Sequence, residues 1–263
     1  NGLGLTRPEL SVLISYSKID LKESLLKSLV PDDEYLAREM ETAFPPLLAK
    51  KFGEPMRRHR LKREIVSTQI ANDLVNHMGI TFVQRLKEST GMSAANVAGA
   101  YVIVRDLFRL PHWWKQIEAL DYQVPAELQL QLMDELMRLG RRATRWFLRS
   151  RRNELDAARD VAHFAPRIEA LVGRLDELLE GPAREQWLAR FQGYVEAGVP
   201  EELARVVAGT SHLYTLLPII EASDVTGQEP ARVAAAYFAI GGSLELSWYL
   251  QQITSLPVEN NWQ

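Results

Sequence analysis

The side chains in this chain that could do chemistry are histidines, carboxylates and a large set of arginines, and their spacing limits what they can do. The five histidines are His59, His77, His112, His163 and His212. On one straight helix, His59 and His77 would stand about 27 Å apart, too far to share a metal. The others fall in separate segments, so no metal ligand set is assigned. There is no cysteine, which removes thiolate ligands, a cysteine nucleophile and a disulfide framework. Neighbouring carboxylates such as Asp32/Asp33 and Glu201/Glu202 fall at expected helix starts, where they complement the helix dipole rather than form an acid–base pair. Gly2-Leu3-Gly4 opens like a dinucleotide fingerprint, but the third glycine would fall at Arg7 and no strand precedes it. The phosphate-loop, HExxH and GxSxG patterns are absent. No catalytic, cofactor-binding or metal-ligating residue is assigned.

Two basic clusters and one polar set remain. Arg57, Arg58, Arg60 and Arg63 crowd one short run together with His59 and Lys62. Arg138, Arg141, Arg142, Arg145 and Arg149, followed by Arg151 and Arg152, line one face of an expected helix opposite its apolar stripe. Such faces suit an acidic partner surface or nucleic acid, or a solvated face paired with nearby acids. The formal net charge is −3, which gives no overall pull toward nucleic acid. Gln69, Asn72, Asp73 and Asn76 form a polar set on a helix whose other face is apolar. They are candidates for a buried network or a ligand site. Trp113, Trp114 and Trp146 fall at helix-packing positions and are assigned to the core.

These residues need elements to position them, and the pattern is helical almost throughout. Ile168, Leu171, Val172, Leu175, Leu178 and Leu179 follow the 3-4 spacing of an amphipathic helix, as do Leu128, Leu132, Leu136, Ala143 and Phe147. Leu61, Ile65, Ile70, Leu74 and Met78 mark a less regular stripe. Val102-Ile103-Val104 is the best strand candidate, but its neighbours keep helical spacing. Thr6-Arg7-Pro8-Glu9 has the form of a capping box. Asp32-Asp33 and Ser93 read as N-caps, and Gly79, Gly181 and Gly198 as helix stops. Helices are expected near 8–29, 33–44, 46–53, 60–78, 80–89, 94–109, 112–120, 126–150, 154–180, 183–197, 200–208, 211–223, 229–240 and 243–254. The fold class is all-α, a multi-helix bundle. With 263 residues, 46% hydrophobic and 25% charged, the chain has the composition of a globular protein. No apolar stretch approaches the roughly 20 residues of a membrane helix. Without a signal-like segment, a cytoplasmic location is expected.

Thr90 to Leu120 aligns without gaps to Thr226 to Leu256, with 11 identities in 31 positions. The pairs include Thr90-Gly91/Thr226-Gly227, Tyr101/Tyr237, Gln116/Gln252 and Leu120/Leu256. A tandem helical repeat is expected, with units near 60–150 and 196–263. The first copy leads into the long helix at 126–150. The second copy ends before its counterpart of that helix, so it is expected to be truncated. The chain is expected to be a piece of a longer protein, cut at both ends.

At several points the sequence resembles the C-terminal region of the large bacterial NAD-specific glutamate dehydrogenases. The resemblance is carried by residues 4–19 (GLTRPELSVLISYSKI), 57–79 (RRHRLKREIVSTQIANDLVNHMG), Thr81-Phe82-Val83, Glu88-Ser89-Thr90-Gly91 and Arg142-Ala143-Thr144-Arg145-Trp146. It implies a parent enzyme that deaminates L-glutamate to 2-oxoglutarate with NAD. It further implies that the glutamate site, the NAD-binding fold and the catalytic residues lie upstream, so that NAD serves the parent and not this segment. The implied role is a non-catalytic helical domain in core packing, subunit assembly or regulation. Its implied partners are the upstream catalytic domains of the same chain and further copies in a homo-oligomer. The alternative is a free-standing helical module that binds an acidic protein or RNA. That reading calls for a natural start and stop, which are not expected here, and an excess of positive charge, which the composition lacks.

Overall fold

The computed structural model describes residues 4–151 and 155–243. Among them there are helices and no strands. Two compact units divide the chain, one formed by 1–115 with 133–165, the other by 116–132 with 166–263. The expected helix at 243–254 lies outside the described residues, apart from its first residue.

The first unit begins with α1 (Arg7–Leu26), whose start is fixed locally. The Glu9 carboxylate accepts hydrogen bonds from the backbone N–H and the hydroxyl of Thr6, at 2.8 and 2.7 Å. Where one helix was expected over 33–44, two short 3₁₀ turns (Val30–Asp32 and Leu36–Arg38) lead into a four-residue α2 (Glu39–Thr42). Asp33 ties the second turn down, its Oδ1 accepting from the N–H groups of Tyr35 and Leu36. Pro45-Pro46 then forbids continuation, because the residue before a proline is pushed out of the helical region. Next come α3 (Pro46–Arg57), bent where Phe52 leaves helical geometry ahead of Pro55, α4 (Lys62–Met78) and α5 (Phe82–Thr90).

The centre of this unit is α6 (Ala94–Leu107), which packs against α1, α4 and α5. It is capped as expected, with the Ser93 hydroxyl accepting from the Asn96 N–H at 3.1 Å. Val97, Ala98, Ala100, Tyr101, Ile103 and Val104 are all buried, so α6 is enclosed on every side. That enclosure explains why its β-branched run is helical: packing overrides a modest local preference. Of α7 (Leu110–Glu118), the part up to Lys115 belongs to this unit. So do α8 (Ala126–Ser150) from Met133 and α9 (Ala157–Val172) up to Ala165. Phe147 and Phe164 meet edge-on at 5.7 Å, with Trp146 edge-on to both.

The second unit holds α10 (Leu175–Leu178), α11 (Gly181–Glu196), α12 (Glu201–Leu213), α13 (Leu216–Thr226) and α14 (Pro230–Ser243). The helix expected at 154–180 is broken between α9 and α10, although its stripe residues Ile168, Leu171, Leu175, Leu178 and Leu179 are all buried. Gly181 is the first residue of α11 rather than a stop. Gly209 also continues a helix, because its task is close approach. A β-carbon there would stand 2.5 Å from Leu175 Cδ2 and 3.5 Å from Trp187 Nε1. Alanine would add about 0.5–1 kcal/mol of helix preference, but pushing the buried Leu175 aside costs about 1–3 kcal/mol. Gly209→Ala is therefore expected to lower stability in urea denaturation. Gly193→Ala, at an exposed site on α11 with nothing within 4 Å, should raise it.

No single helix among the described residues is long and apolar enough to cross a membrane. The helices α12 and α13 together reach that length and composition, but they are bent by 63° and bury Leu203, Val207, Leu213, Leu216, Leu217 and Ile220 in the second unit.

The two Thr-Gly breaks share local geometry. Gly91 ends α5 at φ 70° and Gly227 ends α13 at φ 65°, both left-handed. Thr90 and Thr226 each donate back to the carbonyl four residues earlier, at 2.5 and 2.7 Å. The following helices, 94–107 and 230–243, keep the offset of the sequence alignment. Their surroundings differ, since Tyr101 is fully buried and Tyr237 is exposed. The rest of the second copy, from 244 onward, lies outside the described residues.

Candidate functional site

The strongest concentration of polar groups is in the first unit, built around Arg105. This arginine sits among apolar residues on α6 and is itself buried. Its three guanidinium nitrogens each find a carboxylate. Nη2 donates to Glu39 Oε1 at 2.6 Å, Nη1 to Asp73 Oδ2 at 3.1 Å and Nε to Asp106 Oδ1 at 2.9 Å. The acids come from α2, α4 and α6, so one side chain ties three helices. Asp73 also accepts from the Tyr101 hydroxyl at 3.1 Å and lies 2.8 Å from His77 Nδ1. His77 stacks flat on Trp114 at 3.9 Å. Asp106 accepts further from Tyr35 at 2.8 Å and Arg38 at 3.1 Å.

The electrostatics follow from these contacts. Burial pushes the Asp73 carboxyl up, but the His77 hydrogen bond and the Arg105 charge outweigh it and hold it below the ordinary carboxylate value. Burial works against the Arg105 charge, while Glu39, Asp106 and Asp73 more than restore it, so the guanidinium stays charged. Burial and the Asp73 charge push the Tyr101 hydroxyl well up, and burial with Asp106 pushes Tyr35 up to about 12. Both phenols are therefore fixed donors at neutral pH.

An open groove of about 1110 Å³ runs past the outer side of this network, lined among others by Arg38, Lys50, Arg109, His112 and Lys115. Its acids are already engaged: Glu39 by Arg105, Asp106 by three donors and Glu41 by Arg57 at 3.1 Å. A general acid–base pair needs two carboxylates whose environments push them apart, open to substrate, and these acids do not form one. No group of three metal-ligating side chains occurs among the described residues. A second groove of about 600 Å³ lies in the second unit along Arg167, Arg174, Asp224 and Glu229. There Arg167 and Asp224 pair at 3.0 Å.

Of the expected polar set, only Asp73 belongs to the network. Gln69 and Asn72 are half-buried and Asn76 is exposed, and none of the three has a side-chain hydrogen bond within the described residues. The sequence reading missed Arg105, Glu39, Asp106, Tyr101, Tyr35 and His77. One signal was legible: Arg105 is the only charged residue between Met92 and Asp106, and Tyr101 lies one turn before it.

The basic run splits up. Arg57 pairs with Glu41, and Arg58 with Glu54 at 3.0 Å. Arg63 pairs with Asp32 and donates to the carbonyls of Leu26 and Ser28, while Arg60 is exposed. On α8, Arg138 pairs with Asp134 at 2.6 Å and Arg142 is exposed. Arg141, Arg145 and Arg149 differ, since they follow one another at i, i+4, i+8 with no acidic partner within 4 Å among the described residues. Burial, then repulsion from neighbouring arginines, pushes Arg145 down. Arg141 is pushed down by burial and by Arg142, Arg138 and Arg85, against a partial opposing pull from Asp134. Like charges one turn apart destabilise a helix, so this stripe carries an electrostatic cost that Asp134 offsets only in part, at Arg141.

In the second unit His212 is a neutral histidine. Burial first, then Arg190, pushes it down to about 4, and its ring meets Phe238 edge-on at 5.9 Å. The unfolded chain, with an ordinary histidine near 6.5, binds a proton that the folded form refuses. Stability contributed by His212 is therefore present above about pH 6.5 and lost as pH falls toward 4. The shift corresponds to about 3 kcal/mol. His212→Gln is expected to flatten the fall in urea stability across that window, with little change in its slope above pH 7.

The sequence profile of the family described as "Glutamate dehydrogenase, C-terminal" matches residues 2–263. The chain is 84% identical over 262 residues to the NAD-specific glutamate dehydrogenase of Pseudomonas aeruginosa. It is 50% identical over 260 residues to the protein of that name from Halomonas elongata and 34% over 261 residues to that from Mycobacterium tuberculosis. These matches cover 99–100% of this chain but 16% of each relative's length.

Proposed function

The chain belongs to the family of glutamate dehydrogenase C-terminal regions, and from that premise we propose that it is the non-catalytic helical portion of an NAD-dependent glutamate dehydrogenase. In that reading the parent oxidises L-glutamate with NAD and water, giving 2-oxoglutarate, ammonia and NADH. The described residues hold no Rossmann-type dinucleotide site. They form no strand–turn–helix unit, and the glycine fingerprint fails at Arg7. In this reading the dinucleotide and substrate sites lie in the remainder of the parent polypeptide.

The observation that carries the reading is the contrast between the two charged features. The Arg105 network is saturated, so its acids hold helices together and are not offered to a substrate. The stripe Arg141, Arg145, Arg149 has no acid within ion-pair distance among the described residues, the condition in which a docking partner supplies them. The partner in this reading is an acidic surface of the catalytic part or of another subunit. A cytoplasmic location and assembly into a homo-oligomer belong to the same proposal. A free-standing interaction module is not favoured for a chain that matches a small share of much longer relatives.

Two measurements test it. The isolated chain, mixed with L-glutamate and NAD, is expected to give no NADH absorbance above the blank and no heat on NAD titration; turnover, or calorimetrically measurable NAD binding, overturns the reading. In the full-length enzyme, Arg141→Glu with Arg145→Glu is expected to alter assembly, activity or effector response. The isolated chain carrying the same changes should keep its stability, because like-charge repulsion is relieved. Unchanged behaviour of the full-length enzyme would reduce the stripe to solvated surface.

A further inference from the structure

The first helix is enclosed at one end only. Its fully buried residues are Leu21 and Leu25, in its last two turns. Ahead of them, Val12 is 56%, Tyr16 67% and Ile19 51% exposed, with Leu10 and Leu13 near 40% and Leu5, just before the helix, at 61%. A monomer rarely leaves so many large apolar side chains together in water.

The composition of this stretch matches that exposure. Leu10 to Ser17 contains no charged residue. Beside the Tyr16 phenol, its polar side chains are Ser11, Ser15 and Ser17, and each serine hydroxyl donates back to the carbonyl four residues earlier, at 3.0, 2.9 and 2.8 Å. Hydroxyls satisfied within their own helix need no water. Apolar residues and the tyrosine therefore go round the helix, and the serines are closed off, which is the pattern of a helix enclosed by protein. The uncharged run is about 12 Å long, far short of a roughly 30 Å hydrocarbon core, so a bilayer does not fit. The Thr6–Glu9 cap holds the first turn without tertiary help, so the exposed face is presented as a formed helix.

We propose that this face of α1 is covered by the upstream catalytic part of the same polypeptide. The proposal rests on the accessory reading above and names the surface through which it operates. The choice of occupant follows from length and order. The family is a C-terminal region and its profile takes in α1 from residue 2. The matched relatives devote 16% of their length to this region, and a C-terminal region has the larger part of its polypeptide on the N-terminal side, the side on which α1 lies. A partner tethered so closely acts at high effective concentration.

The test uses the full-length enzyme with Tyr16 replaced by the photo-crosslinking residue p-benzoylphenylalanine. Irradiation is expected to give an adduct of single-chain mass whose peptides join α1 to the upstream region. Hydrogen exchange of the unmodified enzyme should show amides 10–19 at least 100-fold slower than in the isolated chain. An adduct of doubled mass, with α1 joined to a second copy, overturns the proposal. So does equal exchange in the two contexts. Val12→Glu provides a check that does not depend on the probe: it should leave melting of the isolated chain within a degree and weaken assembly of the full-length enzyme. No effect on assembly counts against the proposal. None of these failures touches the accessory reading, which is decided by turnover of the isolated chain.

Discussion

Replacing Arg105 with methionine should cost about 3–5 kcal/mol of stability, the range for removing one partner of a buried ion network. Methionine fills similar space but leaves the buried Glu39 and the half-buried Asp73 without their guanidinium. Asp106 keeps Tyr35 and Arg38, so the loss falls on the acids of α2 and α4. Lysine should rescue little, because one ammonium cannot reach three carboxylates in the directions a guanidinium serves. The effect should depend on pH with a definite sign. Asp73 is held below the ordinary carboxylate value, so its stabilising contribution is full above that range and lost as pH falls through it. The gap between wild type and Arg105→Met should therefore be wide at pH 7 and narrow below about pH 4. Urea denaturation at the two pH values measures both. A loss under 1 kcal/mol at pH 7 would show that the network is solvated and the helices hold without it. Arg105→Met with Glu39→Leu should recover part of the loss, since Glu39 no longer sits buried and unpaired, while Asp73 keeps its contacts with Tyr101 and His77.

Trp114→Ala should be as damaging, at about 3–5 kcal/mol. Trp114 is fully buried on α7, and its ring is the platform on which His77 lies. The alanine variant leaves a cavity of indole size and frees the imidazole that contacts Asp73. In a unit of this size the melting temperature should fall by roughly 10 °C or more. Trp114→Phe keeps a ring against His77 and should lose less than half as much. A double-mutant cycle with Asp73→Asn separates the two effects. Coupling above about 0.5 kcal/mol shows that the stack supports the network. Strict additivity would mean that Trp114 only fills space.

The sequence determined what is local in this protein. Helix content follows from apolar spacing, which the chain carries along its whole length. Starts and breaks at Thr6, Ser93, Gly91 and Gly227 were legible because a cap or a left-handed turn is satisfied by residues within one turn. The family relationship was legible for a similar reason, since it is written in contiguous runs such as 4–19 and 57–79. Tertiary structure decided what depends on partners distant in the chain. Gly209 falls between two expected helices, 200–208 and 211–223, but with Leu175 and Trp187 against it, it is a contact inside α12. Asp73 looked like one of four polar neighbours until Arg105, 32 residues on, selected it and left Gln69, Asn72 and Asn76 outside. The two arginine clusters looked equivalent. Long-range and helical ion pairs consume most of the first, while Arg141, Arg145 and Arg149 keep their charge unmatched. The apolar run of α1 is plain in the sequence, and only the fold shows that its first half is left exposed by the described residues. A periodicity specifies which face of a helix seeks burial, whereas what covers that face depends on which other segments the fold brings beside it.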